Sequence, residues 1–559
     1  MKNIIINILN SKTKQFFILL SAVVLLLLSF AMIYPFGILH FKILPPKDSN
    51  SFSVYINLPK NTTIKNTKKA TLCVENVLET IPQIENLQTY YGMGAPVDFI
   101  GLIKGSPLRR GEYNAQIVAN LSKVKDRDIT SFVLVQNTRD LISKNCSDYK
   151  DIFIVEEAAG PAVYGAIVAE IYGEDKTKRY EIAYTMADLL KSIDTLIDVE
   201  IKNSKPFEKF IIHIDKEKAV RYGLSVEQIN KILYIAFEGM QIACKNEDRL
   251  NEQIPIYLTL SDDTKKIENS TKEDIKSKLS ALNLMNSQGG MVNLSEVVSI
   301  EKSLTQPTIY SKDLQDYTFV SCETKLASPM YPWNKAISMT KNRMSEEYEV
   351  SNGSIFKSKR GKYFDLYLKD KKTGEQYEII WDGEVQITID ILKDSLIMLT
   401  ISVALILTLL VFYYKNIALS LIVLAGSLLA FIGIIAGHIL MDMFSLHRVY
   451  FTGTSIVGFV ALLGINARNT VLIIDFTQLK INQGMEKIEA IATSTATRTK
   501  PILLTAIGTI LGSMFLIPDS VFGGLGISLV FGTMVAVIAS IVIAPILIGF
   551  IEFKQGGDQ

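Results

Sequence analysis

The residue of this chain whose type and place together could do chemistry is Arg468, in the run Gly464-Ile465-Asn466-Ala467-Arg468-Asn469 within a long apolar stretch. It stands eight residues before Phe476, or ~12 Å along a helix at ~1.5 Å per residue, too deep for easy snorkelling to water. A guanidinium at membrane depth costs roughly 2.5 to 3.5 kcal/mol even on lenient insertion scales, so Arg468 should face a polar partner inside a helix bundle. A carboxylate is the expected partner. Asp475 lies seven residues on along the same face, but nearer the cytoplasmic edge, where it is placed to meet interfacial water. No other acidic residue lies in the middle of an apolar run. An arginine stays protonated at working pH, so Arg468 suits a counter-ion or electrostatic latch, and the titrating group is expected elsewhere. The plainer alternative is that Arg468 pairs with backbone carbonyls and only fixes packing. Asn469, Thr505 and Arg498 would extend a polar path, although Arg498 also simply marks the cytoplasmic start of the next apolar run.

Other chemistries find little to stand on. The four histidines, His40, His213, His438 and His447, show no ligand or triad spacing, so neither an enzyme nor a cofactor or resident metal is expected. The four cysteines, Cys73, Cys146, Cys244 and Cys322, are far apart and read as free buried thiols; a disulfide is open in an oxidising compartment, with connectivity illegible. Metal export would want clustered thioethers, and the first external unit offers Met93 alone. With 58 basic against 57 acidic side chains, a net charge of +1, no overall field favours nucleic acid.

The elements that must position Arg468 are apolar runs at 16–39, 396–414, 417–441, 449–476, 501–517 and 522–551, each of a length suited to a hydrocarbon core of ~30 Å. The first is too long for a signal peptide and ends in Tyr34, Pro35 and Phe36 without a small-residue exit, so it reads as a retained anchor. Basic residues set the orientation. With the N-terminus inside, Lys2, Lys12, Lys14, Lys415, Lys480, Lys487, Arg498, Lys500 and Lys554 are cytoplasmic, while Arg448, beside His447, falls outside. Gly433 with Gly437, and Gly508 with Gly512, have the small-xxx-small spacing that lets helices approach closely.

Between the first two runs lies a charged region with alternating strand and helix patterns. Strand 51–58, helix 62–79, strand 84–91, strand 115–121, helix 129–143 and strand 152–156 make one βαββαβ unit. A second begins with strand 166–172, helix 177–190, strands 195–201 and 210–215 and helix 225–237, and resumes at 308–310 and 317–321 after an insert of short strands and turns. The charged stretch 335–372 reads as a solvated helix and loop.

Phe41-Lys42-Ile43-Leu44-Pro45 with Asp48, Leu58-Pro59 with Thr63 and Thr67, Thr89-Tyr90-Tyr91-Gly92 through Ala95-Pro96, and Trp381-Asp382-Gly383 run along most of the chain. With Gly464 to Asn469, Asp475 and Lys500-Pro501-Ile502-Leu503-Leu504-Thr505, they resemble the C-terminal half of a resistance-nodulation-cell division (RND) efflux permease. The resemblance implies an α-helical bundle of six transmembrane helices plus an α+β periplasmic domain of two βαββαβ, ferredoxin-like porter units with an inserted docking subdomain. On that reading, 1–15 is a cytoplasmic segment, 16–39 the first span, 40–160 the first porter subdomain and 161–240 the first part of the second. The docking-like insert is then 241–303, the second porter continues through 304–393, spans two to six occupy 394–554, and 555–559 is a tail. The family pattern makes Arg468, where many relatives have lysine, and Thr505 face two aspartates of the other half in a proton relay; Arg498 matches a relay arginine, and Asn469 and Asp475 are candidates beside them.

The half with the aspartates is missing here, so the expectation is a half-permease in the bacterial inner membrane, with both termini cytoplasmic, paired with a separate N-terminal half. It would be a proton antiporter of the multidrug-resistance type, trimeric, working with a periplasmic adaptor and an outer-membrane channel. A protein-export accessory factor of the SecD and SecF kind, or an inactive remnant of a split gene, are the alternatives.

Overall fold

The computed structural model describes residues 1–33, 38, 39, 41–156, 160, 161, 163–202, 206–248, 250–265, 271–325, 328–352, 363–445 and 448–552. Tyr34, Pro35, Phe36, His40, His447, Lys554, the tail 555–559 and part of the charged stretch lie outside the described residues. The chain divides into two compact units, one of Met1–Lys202 with Tyr310–Gln559, the other of Asn203–Ile309.

In the larger unit, α1 (Lys2–Leu9) and α2 (Lys12–Ile33) precede an antiparallel sheet of β1 (Ser51–Asn57), β2 (Ile84–Met93), β3 (Arg110–Leu121) and β4 (Ile152–Glu156). The strand order is β2-β3-β1-β4, the split βαβ arrangement that the alternation anticipates. Val54, Ile56, Ala115 and Ile117 face one side of the sheet, where α3 (Ile64–Glu79) covers them with Val74 and Leu78. After α4 (Phe99–Lys104), α5 (Ser131–Asn145) adds Leu134, Val135 and Ile142 to the same core. Each large apolar side chain among them contributes about 1.5 to 3 kcal/mol when fully buried, which is what holds the helices against the sheet. Ser53, Tyr55 and Gln116 point to the opposite face, as a two-residue period requires. The free thiols expected at Cys73 and Cys146 are instead a disulfide: α3 and α5 pack side by side, which brings together residues 73 apart in sequence. Cys244 is free and exposed, and Cys322 free and buried.

A second sheet begins with β5 (Ile167–Tyr172), α6 (Lys176–Lys191) and β6 (Leu196–Ile201). The chain then enters the smaller unit, which is β7 (Glu208–Ile214), α7 (Lys216–Arg221), α8 (Val226–Phe237), β8 (Met240–Lys245), β9 (Ile254–Leu258), α9 (Asp262–Lys265), α10 (Lys272–Ser280), β10 (Asn283–Met285), β11 (Met291–Asn293) and β12 (Val298–Leu304). This unit is wider than the insert expected at 241–303. The strand at 210–215 and the helix at 225–237, expected in the second βαββαβ unit, belong here, because β7 pairs with β12 (Ile212 opposite Ile300) and α8 packs Ile229 into this unit's core. Alternation identifies a strand but not its partner.

The chain returns to the second sheet as β13 (Tyr310–Lys312), β14 (Gln315–Thr324), α11 (Met330–Met344), β15 (Tyr348–Asn352), β16 (Leu366–Asp370) and β17 (Gln376–Asp382), in the order β13-β14-β5-β17-β16-β15 with β6 also on β14. The stretch expected to be solvated is part of this core: α11 buries Trp333, Ala336, Thr340 and Met344, a helical stripe that surrounding charges mask, and β16 buries Leu366 and Leu368.

The remaining helices are α12 (Glu384–Tyr414), α13 (Ile417–Leu428), α14 (Ala430–Phe444), α15 (Gly453–Asn482), α16 (Lys487–Met514), α17 (Gly523–Ile538) and α18 (Ala544–Gly549). Among the described residues, five helices are long and apolar enough to cross a membrane: Lys12–Ile33, Glu384–Tyr414, Ile417–Phe444, Gly453–Asn482 and Gly523–Gly549. The run expected at 501–517 forms the second half of α16, a continuous helix whose first half carries Arg498, Lys500 and several threonines.

Candidate functional site

Arg468 is fixed by the rotation of α15, and that rotation is set by the helix's other face. Ser455, Leu462, Asn466, Thr470 and Ile473 recur at helical spacing and are all buried. Asn466 is the central tie. Its Nδ2 donates to Gly426 O at 2.8 Å on α13, and its Oδ1 accepts from Ser540 Oγ at 2.7 Å, within the π-turn Ala539–Ile543 that joins α17 to α18. At the other end of the helix, Ser455 Oγ lies 2.9 Å from His438 Nε2 on α14, and Thr452 N donates to Ser455 Oγ at 3.1 Å. His438 Nδ1 sits 2.9 Å from Ile434 O, a carbonyl that can only accept, so this nitrogen is the donor. These bonds leave no freedom for α15 to turn without breaking buried partners.

With the inner face so anchored, Val457, Ala461, Gly464 and Arg468 are presented outward. Arg468 is exposed, and among the described residues it has no hydrogen bond or ion pair. Pairing of Arg468 with backbone carbonyls, the plainer alternative, is not seen among the described residues. Asp475 faces elsewhere, accepting from Tyr414 Oη at 2.9 Å and Tyr413 Oη at 3.1 Å at the end of α12. Arg498 stacks its guanidinium 4.7 Å from the centre of the Phe476 ring, beside Asp475 in sequence. Asn469 is buried on the inner face. Thr505 is exposed on α16, which packs beside α15, and donates to Ile502 O at 3.0 Å. The structure joins none of these five residues to another by a hydrogen bond or ion pair. What it does bring out is one exposed strip: Thr505, Gly508 and Gly512 share a face of α16, and a β-carbon at Gly464, Gly508 or Gly512 would meet nothing within 4 Å. Asn466, whose role depends on which neighbours it meets, had no signal in the sequence beyond its place in the motif.

A second concave site lies between the two larger sheets. A small cavity of about 30 Å³ is lined by Tyr55 and Phe153 from the first sheet, by Ser321 and Cys322 from the second and by Tyr164 just before β5, with a charged rim. Burial pushes the Cys322 thiol up, and it pushes Glu156, at the end of β4, up to about 7 against the lowering pull of Arg139 and Lys42. Among the described residues, no group of three His, Cys, Asp or Glu side chains is placed to hold a metal ion.

The profile of the AcrB/AcrD/AcrF family matches residues 3–363 and 365–552. Among curated proteins, the chain is similar to the swarming motility protein SwrC of Bacillus subtilis (strain 168), 20% identical over 401 residues that cover 70% of this chain and 34% of that protein. It is also similar to an uncharacterized transporter of Haemophilus influenzae, 21% identical over 535 residues covering 93% of this chain and 46% of the relative. Among solved structures it shares its fold with a heavy metal efflux pump, at TM-scores of 0.69 and 0.70 for two crystal forms, 17% and 16% identity, covering 98% of this chain and 51% of the pump. The chain thus spans less than half the length of each of these curated relatives and about half that of the pump.

Proposed function

This chain belongs to the AcrB/AcrD/AcrF family of RND permeases, and from that premise we propose that it is one half of a proton-driven transporter that exports small molecules across the cell envelope. Members of the family are multi-pass membrane transporters, not enzymes. The observation that carries the reading is Arg468, a permanent cation set deep in a membrane helix, exposed and without a partner among the described residues. A carboxylate from a complementary N-terminal half satisfies it, and the open strip of Gly464, Thr505, Gly508 and Gly512 lets that half's helix come close.

In this reading the partner's intramembrane aspartates take up and release the proton. Arg468 holds their charge, the Thr505 hydroxyl lines the same face, and Asn469, Arg498 and Asp475 lie along the route to the cytoplasmic end. The two larger sheets are porter subdomains around a substrate cleft, and the unit Asn203–Ile309 is the docking subdomain. The assembly is a trimer in the inner membrane with an adaptor and an outer-membrane channel, its termini cytoplasmic and its sheets periplasmic. The Cys73–Cys146 disulfide favours that placement, since such bonds persist in oxidising compartments.

The test is to express the chain with its complementary half and compare wild type with Arg468→Ala. Export should fall to background while the two halves still co-purify. Unchanged export by the variant would sink the relay assignment.

A further inference from the structure

Two inner helices of the bundle are interrupted, and both interruptions meet at Asn466. Between α17 and α18, Pro545 has no N–H to offer Ile541 O, and the helix widens into the π-turn Ala539–Ile543. Between α13 and α14, just after Gly426, the chain tightens at Leu429, whose O accepts from Ile432 N at 3.1 Å. Asn466, near the middle of the 30-residue α15, bonds Gly426 O on one side and Ser540 Oγ on the other. One turn further along α15, Thr470 is wholly buried, and its Oγ1 has no hydrogen-bond partner among the described residues. A buried helical threonine ordinarily returns its hydroxyl to the carbonyl four residues back, as Thr477 does to Ile473 O at 2.8 Å. Thr470 turns instead toward α13, where a β-carbon at Gly426 would stand 3.7 Å from its Oγ1. An unpaired hydroxyl in a bundle interior is costly, and it persists where a group from outside the chain completes it.

We propose that Gly426 O, Asn466 Oδ1, Thr470 Oγ1 and Ser540 Oγ hold a monovalent cation, Na⁺ in the first instance, inside the bundle. All four are hard oxygen donors of the kind that suits such an ion, and they come from α13, α15 and the π-turn. Interrupted helices that meet deep in a membrane bundle are where backbone and side-chain oxygens can converge on an ion. Ser540 can give its proton to Ala536 O, 3.0 Å away, which frees lone pairs on its own Oγ and on Asn466 Oδ1. Gly426 O keeps a second lone pair beside the Asn466 amide. None of the four donors is charged. A singly charged ion is therefore favoured over a divalent one, whose larger cost of leaving water neutral dipoles do not offset. Arg468 stands two residues from both Asn466 and Thr470, on the exposed face of α15, so this site is separate from the strip offered to the complementary half. Once bound, the ion ties α13 and the π-turn to the buried face of α15.

The test is thermal unfolding of the full chain in mild detergent, in NaCl, choline chloride or MgCl₂ at equal ionic strength. It needs no complementary half and reads no transport, so its outcome is independent of the proposed function. An ion that binds only the folded chain raises the unfolding midpoint, so the wild-type midpoint should climb with Na⁺ to a plateau, relative to choline. Thr470→Val replaces the unpaired hydroxyl by a methyl group of similar size. In choline chloride it should unfold at or above the wild-type midpoint, a result that misfolding does not produce. Its rise with Na⁺ should vanish or require about tenfold more salt. Ser540→Ala should lose the rise in the same way. Thr470→Ser keeps the oxygen and should keep the rise, as should Thr477→Val, whose hydroxyl is paired within its own helix. A wild-type midpoint equal in NaCl and choline chloride overturns the site, and so does Thr470→Val responding to Na⁺ as wild type does. A midpoint raised as far by MgCl₂ as by NaCl overturns the choice of a monovalent ion.

Discussion

Two glycine pairs with the same spacing meet opposite surroundings in this molecule. At Gly433 and Gly437 on α14, a β-carbon would run into Phe531 on α17, so these glycines mark where two helices of one chain touch. At Gly508 and Gly512 on α16, a β-carbon would meet open space, on the face that also carries Thr505 and beside the helix that presents Arg468. The same small-xxx-small spacing thus marks a close contact at one pair and an open face at the other, and the fold tells them apart.

The contrast can be broken by substitution. The largest effect is expected at the closed pair: Gly433→Val drives a side chain into the Phe531 backbone, which has nowhere to go, and should lower the stability of the detergent-solubilised chain by about 3 kcal/mol, read from its thermal unfolding. Asn466→Leu should cost less, about 1 kcal/mol in the same measurement. Gly426 O loses its donor, while Ser540 keeps Ala536 O, 3.0 Å away, as a second acceptor. The smallest stability change, and one of opposite sign, is expected at the open pair. Gly508→Leu should leave the isolated chain as stable or raise it by about 1 kcal/mol through helix propensity, yet weaken co-purification with the complementary half. A large loss of stability at Gly508 would mean that its face is already occupied within the chain and would erase the contrast.

Much of the fold was legible because period-two and period-3.6 patterns are local. The first sheet follows the sequence almost strand for strand: β1 spans Ser51–Asn57 where 51–58 was expected, and β4 spans Ile152–Glu156 where 152–156 was. Assignments failed where they depended on partners. β7 is a strand as expected, but its pairing with β12 takes it out of the second sheet, and the Cys73–Cys146 bond depends on two helices meeting. Position within the helix was readable for Arg468, but direction was not. In a membrane bundle the inner and outer faces of α15 are both largely apolar, so no polarity contrast says which way position 468 points. The small polar residues that fix its direction, Ser455 and Asn466, look unremarkable until His438, Gly426 and Ser540 are seen against them.

The return of the chain to β14 has a consequence for how such a molecule can be rebuilt. Ile201, near the exit to the smaller unit, lies opposite Val320, and Tyr310, where the chain comes back, lies opposite Tyr317. These two points are three residues apart on one strand, about 10 Å at the rise of a β-strand. A bridge of a few residues therefore spans the gap, and everything between Lys202 and Tyr310 is a cassette that recombination can cut out or exchange without re-threading the sheet that carries it.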